Sequence, residues 1–335
     1  MSVLVLGGGL SGLSAAKHLH AAGVEVTVVD KGRGIGGRLA TRRGDDDRRF
    51  DHGAQYFTVR SPEFAAEVET WKHAGIAAIW ADDFPAVAAR APGRNETYPR
   101  WCGTEGMAGI GKFLAKDYRV VSNTMIETLT ATEQSWIAEA EDGRTFTADD
   151  VVVTFPVPQM LSLVDVSRIK LESDLRKKLE AVRYAPCLAV LVSLAEPAKV
   201  PKPGGLFCGP EPIAWIADQQ AKGISGKPAA ILHAGPIFSD EHYRDATEDV
   251  IRELLGAAKP YLGDIEQAEL HRWKYSLPTV VYPERTAEHV AAFGRRLLFA
   301  GDAFGGPRVE GAYLSGRAAA SALLGLTSTG TRNGS

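Results

Sequence analysis

Cysteine is scarce in this chain of 335 residues, and the three that occur lie far apart. Cys102, Cys187 and Cys208 form no Cys-x-x-Cys pair, so we expect neither a disulfide framework nor a zinc site. The 8 histidines show no cluster pattern, and we expect no metal site of any other kind. A reducing compartment fits this sparse use of thiols.

Long apolar runs and a strong net charge are also missing. No stretch approaches the ~18–20 apolar residues of a membrane span. The apolar run at the start breaks at Gly7 and lacks a basic leader, which does not fit a signal peptide. A formal net charge of -3 gives no electrostatic reason to expect nucleic acid or an anionic membrane as a partner. We therefore expect a cytoplasmic globular protein, whose oligomeric state the sequence leaves open.

Glycine is abundant by contrast, and its first cluster has a definite context. An apolar run, Ser2–Leu6, leads into the turn Gly7-Gly8-Gly9-Leu10-Ser11-Gly12 and then into a helical stretch. A second apolar run, Val24–Val29, ends in Asp30. This order of strand, glycine turn, helix, strand and acid predicts a dinucleotide-binding unit. Asp30, about 20 residues after the turn, is placed to accept a hydrogen bond from a ribose hydroxyl.

Each residue of the turn has a physical reason to be there. Gly7 makes the tight turn, and Gly9 has no Cβ, so a pyrophosphate can approach the backbone. Gly12 allows the helix to pack closely against the strand. The N–H groups near Leu10 and Ser11 then present the positive end of the helix dipole to the phosphates.

The two halves of the remaining chain differ in pattern. The middle predicts strands at Cys187–Leu194, Ile213–Ala217, Ala229–His233 and Ala268–Tyr275, with a long amphipathic helix at Asp240–Ala258. It lacks phosphate-binding turns, so we expect a substrate domain on a mostly antiparallel sheet. The end of the chain again predicts strand, glycine-rich turn and helix, which should return to the first sheet.

These patterns together predict an α/β fold in which an α+β substrate domain is inserted into a Rossmann-type domain. The nucleotide domain is expected to comprise residues 1–60, 100–165 and 280–326. The substrate domain is expected to comprise residues 61–99 and 166–279. Residues 327–335 form a polar tail.

Several blocks of the sequence resemble known flavoproteins. The turn with Asp30, the run Asp30–Arg38 and Ala300-Gly301-Asp302 resemble FAD-binding proteins of the glutathione-reductase and monoamine-oxidase type. One departure is Gly34, where the wider family often has arginine. Over nearly the whole chain the resemblance is closer to bacterial renalases, and it is carried by four blocks: Phe50–Thr58, Arg100–Gly103, Ile231–Ala234 and Arg308–Gly316.

The renalase resemblance implies a specific chemistry. It implies non-covalent FAD and oxidation of dihydronicotinamide isomers of NAD(P), with electrons passing to oxygen to give hydrogen peroxide. Hydride transfer of this kind needs no proton abstraction, and we find no acid–base pair in the sequence. A flavin amine oxidase, an NAD(P)H-dependent flavin monooxygenase and a non-catalytic flavin sensor remain as alternatives.

The resemblance also assigns cofactor contacts to particular residues. Arg38 is expected to bind the pyrophosphate, Asp302 the ribityl chain, and the helix start at 308–311 the N1 and O2 edge of the flavin. The full expected set is Gly7, Gly9, Leu10, Ser11, Gly12, Asp30, Lys31, Arg38, Leu39, Gly53, Ala54, Gln55, Ile126, Gly301, Asp302, Arg308, Val309, Glu310, Gly311 and Ala312.

No residue stands out as catalytic, but six polar or aromatic residues are candidates for the substrate cavity. Their aromatic rings could stack on a nicotinamide, although packing in the core would explain each one taken singly. Alternation along the strand puts Trp273 and Lys274 on opposite faces, and we expect Trp273 to point inward. The six candidates are Gln55, Tyr56, Trp101, Trp215, His233 and Trp273.

Overall fold

A computed structural model describes residues 1–44, 46–87, 98–209 and 211–326. It divides into two compact units. The first contains Met1–Gly37, Leu114–Val182 and the described residues from Val280 on, and the second contains Arg38–Phe113 and Arg183–Thr279. The predicted tail at 327–335 lies outside the described residues.

The described residues form strands and α-helices that alternate along much of the chain. The strands are β1 (Ser2–Leu6), β2 (Glu25–Val29), β3 (Thr41–Arg43), β4 (Arg49–Asp51), β5 (Ala77–Ala81), β6 (Arg100–Gly103), β7 (Arg119–Val121), β8 (Ile126–Ala131), β9 (Trp136–Ala140), β10 (Thr145–Ala148), β11 (Asp150–Val153), β12 (Arg183–Leu194), β13 (Gly205–Phe207), β14 (Ile213–Asp218), β15 (Ala229–Ala234), β16 (Ile265–Val280), β17 (Ala287–Val290) and β18 (Arg296–Phe299). The helices are α1 (Leu10–Ala21), α2 (Pro62–His73), α3 (Ala108–Leu114), α4 (Val157–Val166), α5 (Ser173–Glu180), α6 (Pro236–Glu241), α7 (Thr247–Ala258), α8 (Asp302–Gly305) and α9 (Val309–Leu323).

A six-stranded sheet forms the centre of the first unit. Its strand order is β17-β18-β11-β1-β2-β7, and all neighbours are parallel except the edge pair β17–β18. Val3–Leu6 of β1 are almost fully buried, as expected for a parallel strand covered on both faces. The predicted α/β fold of Rossmann type, with the terminal strand β18 in the first sheet, is confirmed. A smaller antiparallel sheet, β10-β9-β8, belongs to the same unit.

Helix α9 packs against α1 at very short range. A Cβ atom on Gly316 would lie 1.9 Å from the carbonyl oxygen of Ser11. The Ser14 hydroxyl donates a hydrogen bond of 2.7 Å to the carbonyl of Tyr313. The first and last helices of the described chain therefore pack with their backbones in close contact, which only glycine allows at this point.

The second unit is built on an antiparallel sheet, as predicted. Its strand order is β13-β14-β15-β12-β16. One face carries Val190 and Leu232, which pack in one apolar cluster with Val250 and Leu254 of α7. The opposite face carries residues such as Ile231, which packs against other apolar groups.

The single long helix predicted at Asp240–Ala258 is wrong. The chain forms α6, leaves the helical conformation after His242, and begins α7 at Thr247. Between the two helices, the ring of His242 lies 2.7 Å from a carboxylate oxygen of Asp245. The backbone forms a turn at this point, in which the N–H of Asp245 donates to the carbonyl of His242 at 3.2 Å, and this turn interrupts the apolar pattern of helical period.

The compact units also differ from the predicted domain boundaries. Residues 38–60 and 100–113 lie in the second unit, and residues 166–182 lie in the first. One reason is the hairpin β3–β4, in which Phe50 packs with Leu191 and Ile231 of the antiparallel sheet. Compactness does not decide which unit binds which molecule, so the functional assignment of the domains stays a prediction.

No helix within the described ranges is long and apolar enough to cross a membrane.

The contact between α1 and α9 predicts a cost for any side chain at its centre. Gly316→Ala should lower the free energy of unfolding by about 1–3 kcal/mol, because the methyl group overpacks the helix interface. The matched control is Gly256→Ala on the exposed face of α7, where an added Cβ meets no atom within 4 Å. We expect it to stabilise the protein by roughly 0.5–1 kcal/mol. Urea unfolding of both variants measures the difference, and equal effects would contradict the packing argument.

Candidate active site

The carboxyl edge of the parallel sheet gathers the predicted nucleotide-binding residues of the first unit. Gly7 follows β1 directly, Asp30 follows β2, and Gly301 comes two residues after β18. Between them, Thr154 follows β11, and its hydroxyl bonds to the carbonyl of Gly7 at 3.0 Å. Open α/β sheets bind ligands outside this edge.

The start of α1 has the features of a phosphate site. No side chain caps the helix, whose N-cap is Gly9. An added Cβ on Gly9 would meet no atom within 4 Å, whereas one on Gly12 would lie 1.9 Å from the carbonyl oxygen of Gly7. Ser11 is buried, and its hydroxyl has no hydrogen-bond partner among the described residues. Open space, an unsatisfied hydroxyl and a helix N-terminus together fit the pyrophosphate of a dinucleotide.

Asp30 organises the loop around this turn. Its carboxylate accepts hydrogen bonds from the N–H groups of Gly8 at 2.5 Å and Gly32 at 2.6 Å. The N–H of Gly36 in turn donates to the carbonyl of Gly8 at 2.7 Å. A carboxylate has about four acceptor positions, so each oxygen of Asp30 retains capacity for a ribose hydroxyl.

Two further predicted residues flank Asp30. The N–H of Thr124 donates to the carbonyl of Asp30 at 2.9 Å, which brings the chain just before β8 next to the acid. Ile126 begins β8 and is half-buried, while Lys31 is exposed. The backbone of β8 is thus brought close to the predicted ribose position, and the adenine contact of Ile126 stays a prediction.

The C-terminal block is compact because α8 and α9 meet at glycine. Asp302 begins α8, and α9 begins just after Arg308 without a side-chain cap. A Cβ atom on Gly311 would lie 2.2 Å from the carbonyl oxygen of Gly306, which fixes the approach of the two helices. The first turn of α9 also holds Val309, Ala312 and Glu310, the last of which is buried.

In the second unit, the structure brings Arg38 together with the block that follows β4. The N–H of Ala54 donates to the Arg38 carbonyl at 2.8 Å, and a Cβ atom on Gly53 would lie 2.1 Å from that oxygen. The Arg38 guanidinium donates to the carbonyls of Tyr275 at 3.2 Å and Ser276 at 3.0 Å. Its predicted pyrophosphate contact stays a prediction. The adjacent Leu39 is buried in the core.

Several substrate candidates also come together in the second unit. The rings of Tyr56 and Trp215 are 5.7 Å apart and share an aromatic cluster with Phe84. Trp215 and His233 are directly opposite each other on β14 and β15. Trp101 is joined through its backbone to Phe57 rather than through its ring.

Trp273 lies in a group of neutral rings. Its indole N–H donates to the carbonyl of His52 at 2.8 Å, and its ring lies 4.3 Å from that of His271. Lys274, on the other face of the strand, is exposed, as the alternation predicted. Burial lowers the pKa of His271 to about 4 and also lowers the pKa of His52. The pKa of His233 is lowered to about 4 by burial as well, so all three rings are neutral at pH 7.

A buried ion pair is the feature that sequence reasoning missed. Lys222 lies 2.6 Å from the carboxylate of Asp51, and both side chains are 0% exposed. The ammonium also donates to the carbonyl of Gln55 at 2.6 Å, while Gln219 accepts a hydrogen bond of 3.0 Å from the N–H of Asp51. The Gln55 side chain bonds to the carbonyl of Asp51 in the same network. Only Asp51, which falls in a renalase-like block, gave any signal.

The described residues contain no group of three or more His, Cys, Asp or Glu that could hold a metal ion.

The parallel sheet and the glycine turns at its edge have the form of a dinucleotide-binding fold. In agreement, residues 5–68 match the NAD(P)-binding Rossmann-like domain, and residues 91–324 match the flavin containing amine oxidoreductases. Because the second match covers more than half of the chain, the chain belongs to the flavin containing amine oxidoreductase family. This membership confirms the predicted oxidoreductase class and the predicted FAD cofactor.

Comparison with individual proteins adds detail. Over 323 residues the chain is 24% identical to renalase of Mus musculus, an alignment that covers 90% of this chain and 92% of that protein. The predicted resemblance to renalases is thereby confirmed. A stretch of 54 residues is 43% identical to human amine oxidase [flavin-containing] B, but it covers 16% of this chain and 10% of that protein.

Solved structures agree on the fold. A candidate protoporphyrinogen oxidase from Exiguobacterium sp. 255-15 superposes with a TM-score of 0.73 at 12% identity, covering 96% of this chain and 98% of that one. A putrescine oxidase bound to putrescine gives a TM-score of 0.67 at 13% identity, covering 97% of this chain and 99% of that one.

The open space at Gly9 predicts a variant that loses cofactor without losing its fold. Gly9→Ala should weaken FAD binding by about 5- to 150-fold, because the methyl group occupies the pyrophosphate position at an overpacking cost of about 1–3 kcal/mol. Its secondary structure should be unchanged, since the methyl group meets no protein atom. Flavin titration of the apoprotein measures the affinity. Gly109→Ala in α3, where an added Cβ also meets nothing, is the control that should retain flavin.

The buried ion pair predicts strong coupling between its partners. Lys222→Met should lower the free energy of unfolding by about 3–5 kcal/mol, because it leaves the carboxylate of Asp51 buried without a counter-ion. The double variant Asp51→Asn/Lys222→Met removes both charges and should recover part of this loss. Lys72→Met breaks an exposed pair with Glu69 and should cost about 0–1 kcal/mol. Denaturant unfolding of these proteins and of the single variant Asp51→Asn tests this, and additive effects of the two buried substitutions would rule out the coupling.

Proposed function

We propose that the protein is an FAD-dependent oxidase of dihydronicotinamide isomers of NAD(P) that binds its FAD non-covalently. The observation that carries the proposal is the chemical character of the candidate substrate residues. They are aromatic rings, one amide and His233, and this histidine is neutral at pH 7, as are His52 and His271 beside Trp273. The alignment with mouse renalase along most of both chains supports the same reaction class.

Bound FAD would accept a hydride from the substrate and then pass its electrons to oxygen, which gives hydrogen peroxide. The turn at Gly9 and Ser11 would hold the pyrophosphate, and Asp30 the adenosine ribose. Asp302 would bind the ribityl chain. The first turn of α9 would place the positive end of its dipole near the flavin, where negative charge is stabilised by ~0.3–2 kcal/mol.

The task left to the substrate residues is placement. A hydride donor needs its carbon held at roughly 3–3.5 Å from the acceptor, and no base has to remove a proton from that carbon. Tyr56 and Trp215 offer flat rings against which a nicotinamide can be aligned, and Trp273 is held in place by its bond to His52. Neutral histidines avoid repelling the positive charge that develops on the nicotinamide ring as the hydride leaves.

A flavin amine oxidase is the second candidate, because the family and the putrescine oxidase fold both favour it. An amine oxidase would prefer a lysine that holds a water near the flavin, and two lysines of the second unit do not suit that role. Lys222 is bound to Asp51 and Gln55 with no exposed side-chain surface, and Lys274 is exposed on the opposite face from Trp273. As part of the same proposal, the protein acts on small molecules in the cytoplasm and has no nucleic-acid or membrane partner.

Anaerobic stopped-flow absorbance with a panel of donors tests the proposal. We expect 2- or 6-dihydro-NAD(P) to bleach the flavin within one turnover, and admission of oxygen to restore its colour with one hydrogen peroxide per flavin. Ordinary NADPH, with or without an aromatic substrate, and putrescine or other amines serve as comparison donors. Fast reduction by an amine would replace the proposal with the amine oxidase, and fast reduction by NADPH would indicate a monooxygenase. A flavin that no donor reduces would point to a sensor.

A further inference from the structure

Two buried polar groups on neighbouring strands have no hydrogen-bond partner among the described residues. They are the indole Nε1 of Trp215, whose residue is 6% exposed, and the ring Nε2 of His233. The residues are directly opposite each other in the antiparallel pair β14–β15. Opposite residues share one face of the sheet, with Cβ atoms about 4.5–5.5 Å apart. This face is the one that α7 does not cover, since Leu232 and Ile216 occupy the other.

The two groups have complementary hydrogen-bonding character. An indole N–H can only donate. The His233 ring is neutral at pH 7 and carries one proton, because burial lowers its pKa to about 4. With its single proton on Nδ1, the ring presents Nε2, which has no partner among the described residues, as a hydrogen-bond acceptor.

Trp215 is also held firmly in place. Its ring lies 4.9 Å from Phe84 and 4.8 Å from Phe207, so the direction of its N–H is fixed by packing. Leaving a buried donor and a buried acceptor unsatisfied costs more than a typical hydrogen bond returns. A buried donor and a buried acceptor on opposite residues of one sheet face, both without partners, are therefore a candidate site for a group that offers the opposite pair.

We infer that Trp215 and His233 together recognise a primary carboxamide, with the Trp215 N–H donating to its oxygen and His233 Nε2 accepting from its NH2 group. The inference rests on the proposed function, since nicotinamide carries one such group, and it names the residues that select this ring. A ligand with a methyl ketone in place of the carboxamide would keep the bond from Trp215 and lose the bond to His233. A carboxylate would lose the second bond too, because it has no proton to donate.

The test compares two ligands that differ only in this group. Oxidised holoenzyme is titrated with NAD+ and with 3-acetylpyridine adenine dinucleotide, and binding is followed by calorimetry and by the flavin spectrum. We expect the wild-type protein to prefer NAD+ by about 3- to 10-fold, the size of one neutral hydrogen bond. His233→Leu should weaken NAD+ binding by this factor and bring the preference close to one. Trp215→Phe should weaken both ligands similarly and keep the preference.

Two further variants separate recognition from damage to the fold. His233→Gln offers an amide oxygen near the position of Nε2 and should restore part of the preference. Trp71→Phe is the matched control, because its buried indole already donates to Glu67 at 2.7 Å, and both affinities should be unchanged. The preference is measured within one protein, so a lower content of folded protein does not alter it.

The outcomes distinguish this inference from the proposed function. If the preference is the same in the wild-type protein, His233→Leu and Trp215→Phe, the pair does not recognise the carboxamide, while reduction of the wild-type flavin by dihydronicotinamides would leave the function intact. If the wild-type protein binds neither dinucleotide and no dihydro isomer reduces it, both fail. A preference that is lost only in His233→Leu and restored in His233→Gln supports the inference.

Discussion

The first unit depends on close contacts between backbone segments, which are possible only where one of the two residues is glycine. A methyl group at Gly12 would lie 1.9 Å from the Gly7 carbonyl, and one at Gly316 would lie 1.9 Å from the Ser11 carbonyl. The first contact sets α1 against β1, and the second sets α9 against α1. Both helix starts can be placed at the carboxyl edge of the sheet only because these distances are this short. This packing also fixes the position of the polar groups at the start of α1, which are its backbone N–H groups and the hydroxyl of Ser11.

The second unit depends instead on a buried ion pair. Asp51 and Lys222 are charged groups without exposure, and each neutralises the other. Their hydrogen bonds extend to the amides of Gln55 and Gln219, which ties β4 to the segment after β14. Buried pairs of this kind contribute little net stability, but they are costly to break. Burial, rather than this pair, lowers the pKa values of His233 and His271 to about 4, so both rings stay neutral.

Local patterns in the sequence were sufficient to predict the strand, turn and helix at the edge where we expect a nucleotide to bind. The strand before Gly7, the helix that begins at Leu10 and the acid Asp30 lie within one short segment, so neighbouring residues are enough to predict how they are arranged. The strands of the antiparallel sheet were likewise predictable from their apolar runs. Side-chain alternation correctly separated Trp273 from Lys274.

Long-range contacts were beyond the reach of such patterns. Asp51 and Lys222 are separated by 171 positions, and neither is part of a motif with the other. The hairpin containing Phe50 was predicted to belong with the nucleotide domain, yet Phe50 packs against Leu191 and Ile231. The break between α6 and α7 is a backbone turn at His242–Asp245, which helical periodicity does not report. The unsatisfied atoms of Trp215 and His233 become visible only when the surroundings of each atom are known.

The buried hydroxyl of Ser11 has a consequence for the life of the protein in the cell. A chain that folds around unsatisfied polar groups gains stability whenever a molecule that satisfies them is present, by an amount that grows with the logarithm of its concentration. For this protein the molecule is FAD, which is made from riboflavin. The supply of riboflavin would therefore affect the abundance of the protein as well as its activity. Under riboflavin starvation, a larger share of newly made chains would be open to proteases, and the enzyme would be cleared before it could accumulate in an inactive form.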